Sequence, residues 1–374
     1  MGRPGRLGRR HRPVAVVVAG ALVAAACGST TGGPGGGTAT TDRSHDGGVG
    51  WTATDGSIVV GAEAGAPDLT VVLGTRPALV APLGMAADAA ERERVAAATG
   101  VALPVVRVFA RWDSPFPTAD QEALLDAGRL LHLSVRPRTD AGRTIGWGEL
   151  AAAGPDTAVG EELDRWARAV GAAGERAAAN GGRLYLTFNH EPETTESAGH
   201  GTEAEYRAAW RAVVARVRSA PGGSAVRTVL VLNRGTFASG AADAWWPGDD
   251  VVDVVGVDAY NWFDCQAAPG AAIRPWATPA ELLAPALAFA RAHGKPLAVP
   301  ETASTEDPAD PEAKAAWILD LARTLADPAI APQIEYAAWF SGQDASWPRC
   351  RWAWDSSPAS ARAMAAALRW LTRP

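Results

Sequence analysis

The sequence predicts an α/β chain: a single (β/α)8 TIM barrel preceded by a lipoprotein signal peptide and a flexible tether. Three observations carry that reading. Strand-like apolar runs at 69–73, 105–110, 130–135, 184–188, 228–232, 252–257, 297–299 and 334–340 alternate with alanine-rich amphipathic stretches at 160–179, 203–219, 279–293, 311–326 and 357–371. Eight such units over about 300 residues suit a barrel, which typically needs about 250. Polar and aromatic residues gather where the strands end: Arg111-Trp112-Asp113, Arg136-Pro137-Arg138, Asn189-His190-Glu191, Asp258-Ala259-Tyr260-Asn261, Glu301 and Trp339. In a barrel all those ends share one rim, and the active site sits there. Finally, no Gly-rich phosphate turn follows the run at 69–73, as a doubly wound open sheet would normally show. No internal repeat is present, so the barrel is one domain.

The 374 residues are 47% hydrophobic and 20% charged, enough apolar material for a full core. Arg3, Arg6, Arg9, Arg10 and Arg12 precede an apolar run from Val14 to Ala26. That run is too short for the ~20 residues of a membrane span and matches a signal-peptide core. It ends in Leu22-Val23-Ala24-Ala25-Ala26-Cys27-Gly28, which resembles a bacterial lipobox, so Cys27 is the expected lipidation site. Ordinary secretion with cleavage nearby is the alternative. Residues 28–50 are Gly, Thr, Ser, Asp and Pro with little to bury, and read as a tether. The expected organisation is therefore a leader over 1–26, lipidated Cys27 and linker over 27–50, and the barrel over 51–374. The protein is expected on the extracellular face of the bacterial membrane, held by its lipid alone, or secreted, and to act as a monomer.

The formal net charge of −6 becomes more negative still once the five leader arginines are removed. An acidic protein outside the cell is a poor candidate for nucleic-acid binding. In an oxidising compartment Cys265 and Cys350 are expected to form a disulfide, with two free buried thiols as the alternative.

Glu191 follows the fourth predicted strand and Glu301 the seventh, and these strands face each other across a barrel mouth. Glycoside hydrolysis needs one carboxylic acid to protonate the leaving oxygen and a second carboxylate on the other face of the sugar, roughly 5–5.5 Å away in retaining enzymes. The first must hold its proton while the second stays ionised. Taken singly, each glutamate could equally be a solvated loop carboxylate or an arginine's ion-pair partner.

The pair His190-Glu191, the segment from Trp246 to Asn261 (WPGDDVVDVVGVDAYN) and Glu301 together resemble glycoside hydrolase family 26, mainly β-mannanases. The resemblance runs from about Arg107 to the C-terminus. It implies a retaining, endo-acting hydrolase of a β-1,4-mannan-like polysaccharide, with Glu191 as acid/base and Glu301 as nucleophile. It also implies that His190 supports Glu191 or a substrate hydroxyl, that Tyr260 hydrogen-bonds the nucleophile and that Asp258 helps hold the site together. The chain departs from the family after Glu191, where it reads Pro192-Glu193-Thr194-Thr195. That departure bears on which β-glycan is cut, glucan and xylan included. A non-catalytic carbohydrate-binding lipoprotein is the reading from another class.

Asp258 and Tyr260, two apart, share one side of a strand; a structural Asp–Arg pair and a packing tyrosine are the alternative. With 15 tryptophans, a stacking cleft for sugar faces is expected. Trp339 is the expected floor of the catalytic subsite and Trp112 a second substrate contact, whereas Trp166, Trp210, Trp317 and Trp370 read as helix faces packing on the barrel. No His-x-x-x-His or Cys/His set supports a metal site, and no cofactor is expected.

Overall fold

The computed structural model describes residues 52–54, 57–59, 73–265, 274–342 and 349–372. The predicted leader over 1–26, Cys27 and the linker over 27–50 lie outside them. Eight parallel strands close into a barrel: β1 (Leu83–Ala86), β2 (Val105–Arg111), β3 (Leu130–Arg136), β4 (Arg183–Phe188), β5 (Val226–Asn233), β6 (Val254–Asn261), β7 (Leu297–Ser304) and β8 (Ile334–Phe340). Each pairs with its neighbours in sequence, and β8 closes on β1. A separate two-stranded antiparallel ribbon joins Thr52–Thr54 to Ser57–Val59.

The first strand is not the run at 69–73, of which only Leu73 is described. It is Leu-Gly-Met-Ala at 83–86, too short and too poor in β-branched residues to stand out. Gly84 explains how this segment fits. A Cβ there would lie 1.9 Å from the Val105 carbonyl oxygen, so only glycine lets β1 press against β2.

The helices include α1 (Ala89–Thr99), α2 (Ala119–Asp126), α3 (Trp147–Ala151), α4 (Ala158–Ala179), α5 (Glu203–Ser219), α6 (Arg234–Ala238), α7 (Ala242–Trp245), α8 (Pro279–Ala292), α9 (Ala313–Thr324) and α10 (Pro358–Thr372). Their starts are specified locally. Thr202 and Glu205 form a capping box on α5, and Thr278 and Glu281 form another on α8, where Pro279 occupies the first turn. Trp166, Trp210, Trp317 and Trp370 are buried, turning helix faces toward the barrel as expected.

Alternation along the strands separates two cores. Val105, Tyr185, Val229, Val231, Val254, Ala298 and Tyr336 fill the barrel interior. The larger core lies between strands and helices, and includes Leu131, Leu184, Val255, Val299 and Trp339. Strands β6 and β7 are buried along their whole length and run farther toward the mouth than the sequence suggested. Asp258, Tyr260, Asn261 and Glu301 therefore lie within strands rather than beyond them.

Strand β7 carries an irregularity that aims the site. Ala298 pairs with Gly256 but Glu301 pairs with Asp258, leaving one extra residue on β7. The same slip appears against β8, where Val299 faces Ala337 and Thr302 faces Trp339. Pro300 sits in this gap and has no N–H to give the ladder, so the strand bulges around it. Regular alternation from inward-facing Ala298 would turn Glu301 outward. The bulge returns it to the interior beside Asp258.

Candidate active site

The C-terminal mouth of the barrel collects three carboxyl groups around one guanidinium. Arg107 on β2 points inward and is fully buried. Its Nη1 lies 3.1 Å from Asp258 Oδ1 and 3.1 Å from Glu301 Oε1, and its Nη2 donates to Ser134 Oγ at 3.1 Å. Tyr260 donates its hydroxyl proton to Glu301 Oε2. Both oxygens of Glu301 thus face a donor or a cation, which fixes the orientation of the carboxyl group. Burial and the charge of Glu301 push the Tyr260 hydroxyl well above its ordinary range, keeping it a donor.

Glu191 stands in a turn beyond β4. Asn189 and Glu191 both adopt left-handed backbone conformations, at φ 48° and 46°, which side-chain-bearing residues rarely take. The Glu191 N–H still reaches the Val231 carbonyl of β5 at 3.0 Å, anchoring the turn to the barrel. Its carboxyl accepts one hydrogen bond, from Asn233 Nδ2 at 3.3 Å. Burial first, then the charges of Glu301 and Glu193, push Glu191 up to about 8. The two glutamates are consequently unlike: one keeps its proton at neutral pH, the other sits against a cation. Glu191 is 8% exposed and Glu301 6%, so both are reached from the mouth.

Asp258 lies deeper. Its Oδ1 faces Arg107, whereas its buried Oδ2 has no partner among the described residues. Burial, then the charge of Glu301, raises its proton affinity well above the usual carboxylate range despite the ion-pair distance to Arg107. One guanidinium is shared between the two buried carboxyl groups. Among the described residues, no group of three or more His, Cys, Asp or Glu side chains is arranged to hold a metal ion.

His190 precedes Glu191 in the same turn, and among the described contacts no hydrogen bond joins the two side chains. Its ring packs at 5.4 Å from Phe109, its buried Nδ1 has no partner among the described residues, and burial together with Arg107 and Arg136 keeps it neutral. An aromatic wall rises on the other side. Tyr260 packs at 5.1 Å from Trp352, 5.5 Å from Trp262 and 6.0 Å from Phe340. Cys265 and Cys350 are joined by a disulfide with Cα atoms 4.9 Å apart, tying the loop that carries Trp262 to the loop that carries Trp352. A pocket of about 650 Å³ opens next to this centre. Arg107, Phe109 and Phe340 line its inner end and Asp88 and Glu91 its outer one, while Glu191 and Glu301 stand outside it.

Two expected substrate contacts are corrected. Trp339 is fully buried and faces out of the barrel, because Tyr336 and Phe340, an odd number of positions away, take the inward face. Its ring packs on Trp317, and its Nε1 donates to the Trp352 carbonyl at 2.8 Å. Phe340 occupies the position at the mouth that the sequence assigned to Trp339. Trp112 stacks on Trp166 of α4 at 5.9 Å and donates to Glu162, so it packs the barrel exterior. Arg107, Asn233 and Glu193 were not assigned from sequence. Inward parity with Val105 marks Arg107 once the strand is drawn, but nothing local marks the other two.

No protein-family model matches the chain. A β-1,3-xylanase of Alcaligenes sp. is 33% identical over 120 residues, which are 32% of this chain and 22% of that protein. The match thus spans about a fifth of that relative's length. Among solved structures, a family 26 β-mannanase of Bacteroides ovatus superposes with a TM-score of 0.54 at 14% identity, over 78% of this chain and 89% of the other. A modular endo-β-1,4-mannanase of Cellulomonas fimi gives 0.51 at 17% identity, over 75% and 65%. The catalytic domain of a Bacillus sp. JAMB-750 endo-β-1,4-mannanase gives 0.50 at 17% identity, over 70% and 77%. The chain has the fold of the glycoside hydrolase family 26 mannanases.

Proposed function

We propose that the protein is a retaining glycoside hydrolase of family 26, cutting a β-1,4-mannan-like polysaccharide internally. Glu191 is the acid/base and Glu301 the nucleophile. The observation that carries this reading is the contrast between the two glutamates at one mouth. Glu191 is held protonated by burial and by neighbouring negative charge, while Glu301 lies between Arg107 and Tyr260.

In the first step Glu301 attacks the anomeric carbon as Glu191 gives its proton to the departing glycosidic oxygen. Forming the glycosyl ester removes the negative charge of Glu301. Since that charge is one of the causes holding the proton on Glu191, its loss makes Glu191 a weaker acid-holder at the moment it must act as base. Glu191 then takes a proton from water, which attacks the same carbon and frees Glu301. Arg107 and Tyr260 serve the cycle by orienting Glu301, and the half-buried Phe340 and Trp262 offer apolar surface to sugar faces.

The mannanase fold supports mannan as the substrate, and the xylanase relative supports a second reading, the same chemistry on β-1,3-xylan. Reducing-sugar release from β-mannan, glucomannan, β-1,3-xylan and mixed-linkage glucan separates them, with Glu191→Ala and Glu301→Ala measured alongside. Activity on one polymer that is abolished by Glu301→Ala supports the mechanism and names the substrate. Silence on all four, with binding that survives both substitutions, means a carbohydrate-binding protein instead. The lipobox-like segment supports anchoring through Cys27 on the outer face of the cell membrane; a Cys27→Ala protein that stays with the membrane would refute the anchor.

A further inference from the structure

Glu193 lies two residues beyond the acid/base and is used by none of the steps above. Its Oε1 accepts from the Asn233 N–H at 2.6 Å and from Thr236 Oγ1 at 3.0 Å. Its Oε2 is buried and has no partner among the described residues. Asn233 is the last residue of β5 and caps α6, and its side chain is the one that reaches Glu191. One carboxyl group therefore clips the start of α6 to the Glu191 turn, and the clipped residue touches the acid. A surface ion pair would account for none of this, since both Oε1 donors are neutral and no cation pairs with the group among the described residues.

We propose that Glu193 is a positioning residue that clamps the Asn233 turn against Glu191 and, by its own negative charge, keeps the proton on Glu191. This rests on the reading of Glu191 as acid/base. The groups facing the pair come from six elements, among them β6, whose Asp258 and Tyr260 both interact with Glu191. Glu301 on β7 and Arg107 on β2 act on Glu191 from across the mouth, and Tyr206 on α5 lies near Glu193. Asn233 and Thr236 meet Glu193 as neutral donors from β5 and α6. Burial pushes Glu193 itself up to about 7. Once Glu193 is ionised, its charge opposes ionisation of Glu191. The acid stays loaded over a wider alkaline range than burial alone would give.

The test uses the full chain in three forms: wild type, Glu193→Gln and Glu193→Ala. Gln keeps an oxygen for the Asn233 and Thr236 donors but removes the charge, whereas Ala removes the clamp as well. Two readouts are taken, the pH profile of kcat/KM and the carboxyl NMR titration of Glu191, its signal identified by its loss in Glu191→Gln. With Gln, both the alkaline limb and the NMR midpoint are expected to move to lower pH by roughly one unit, with kcat near its optimum little changed. With Ala, kcat is expected to fall as well. An unmoved Glu191 midpoint in Glu193→Gln overturns the proposal, whether activity is kept or lost. A shifted midpoint in a protein that cuts no polysaccharide supports the coupling and defeats the assigned function instead.

Discussion

Glu301 is the register partner of Asp258, although a regular β7 would have turned it to the outside of the barrel. The extra residue at Pro300 brings the two carboxyl groups onto one face, where Arg107 meets both at 3.1 Å. The strand irregularity and the buried guanidinium are thus two parts of one arrangement. The first delivers a second carboxylate to a low-dielectric interior, and the second makes that tolerable.

Arg107→Met tests this directly, because Met fills similar space without a charge. Breaking a buried ion pair from one side typically costs about 3–5 kcal/mol, since the abandoned charge stays behind. Urea unfolding at about pH 7.5 should show a loss of that order. At about pH 5 the loss should shrink, because a buried carboxylate left without its cation can then take up a proton instead of remaining an unpaired charge. An equal loss at both pH values would mean that Arg107 acts by packing alone.

Glu191 should make the protein less stable as pH rises. Its folded pKa of about 8 lies above the roughly 4.3 of an unfolded glutamate, so between those values the folded state binds the extra proton. Stability then falls with increasing pH across that window and levels off beyond it. Glu191→Gln removes the dependence. The variant should gain on the order of a few kcal/mol over wild type near pH 8.5 and almost nothing near pH 4.5. Thermal unfolding of both proteins at the two pH values measures it, and a constant difference would contradict the raised affinity.

Seven of the eight barrel strands are legible in the sequence because each is an apolar run bounded by polar rim residues. The eighth, at 83–86, owes its place to Gly84 fitting under Val105, a contact between segments that composition does not reveal. Both glutamates are legible as residues, yet the inward aim of Glu301 depends on a bulge that interrupts alternation, and alternation is what a sequence reader counts. Trp339 misled for the opposite reason. Alternation held there, and counting in twos from Tyr336 would have turned it outward. Asn233 and Glu193 stayed hidden because they meet across a gap of 40 positions, where no local pattern links them.

The outward Trp339 and the inward Phe340 should respond differently to truncation. Trp339→Ala empties a buried site between β8 and α9 and should cost about 3–5 kcal/mol of stability, with kcat/KM of the folded fraction close to wild type. Phe340→Ala removes a half-buried ring at the mouth, packed against Tyr260 at 6.0 Å. It should cost less stability but raise KM, as expected for lost stacking with a sugar face. The assignment of the mouth is wrong if the two patterns are exchanged.

The disulfide between Cys265 and Cys350 should contribute to both stability and substrate handling. It closes a segment with a sequence separation of 85. On chain-entropy grounds a loop of that size is worth about 4.5 kcal/mol, on the order of 10 °C in Tm for a domain this large. The Cys265→Ala, Cys350→Ala double variant is the form to measure, since it leaves no reactive thiol at either end. The ring pair behind Tyr260 gives the second effect. Trp262 and Trp352, 4.9 Å apart, come from the two loops that the bridge joins, so its removal lets that corner loosen. Tyr260 is the donor to Glu301, and loosening its backing should lower kcat as well as Tm. Assays well below the melting transition separate the two. A variant that melts earlier but keeps wild-type kcat at low temperature would mean that the bridge braces the fold without holding Tyr260 in place.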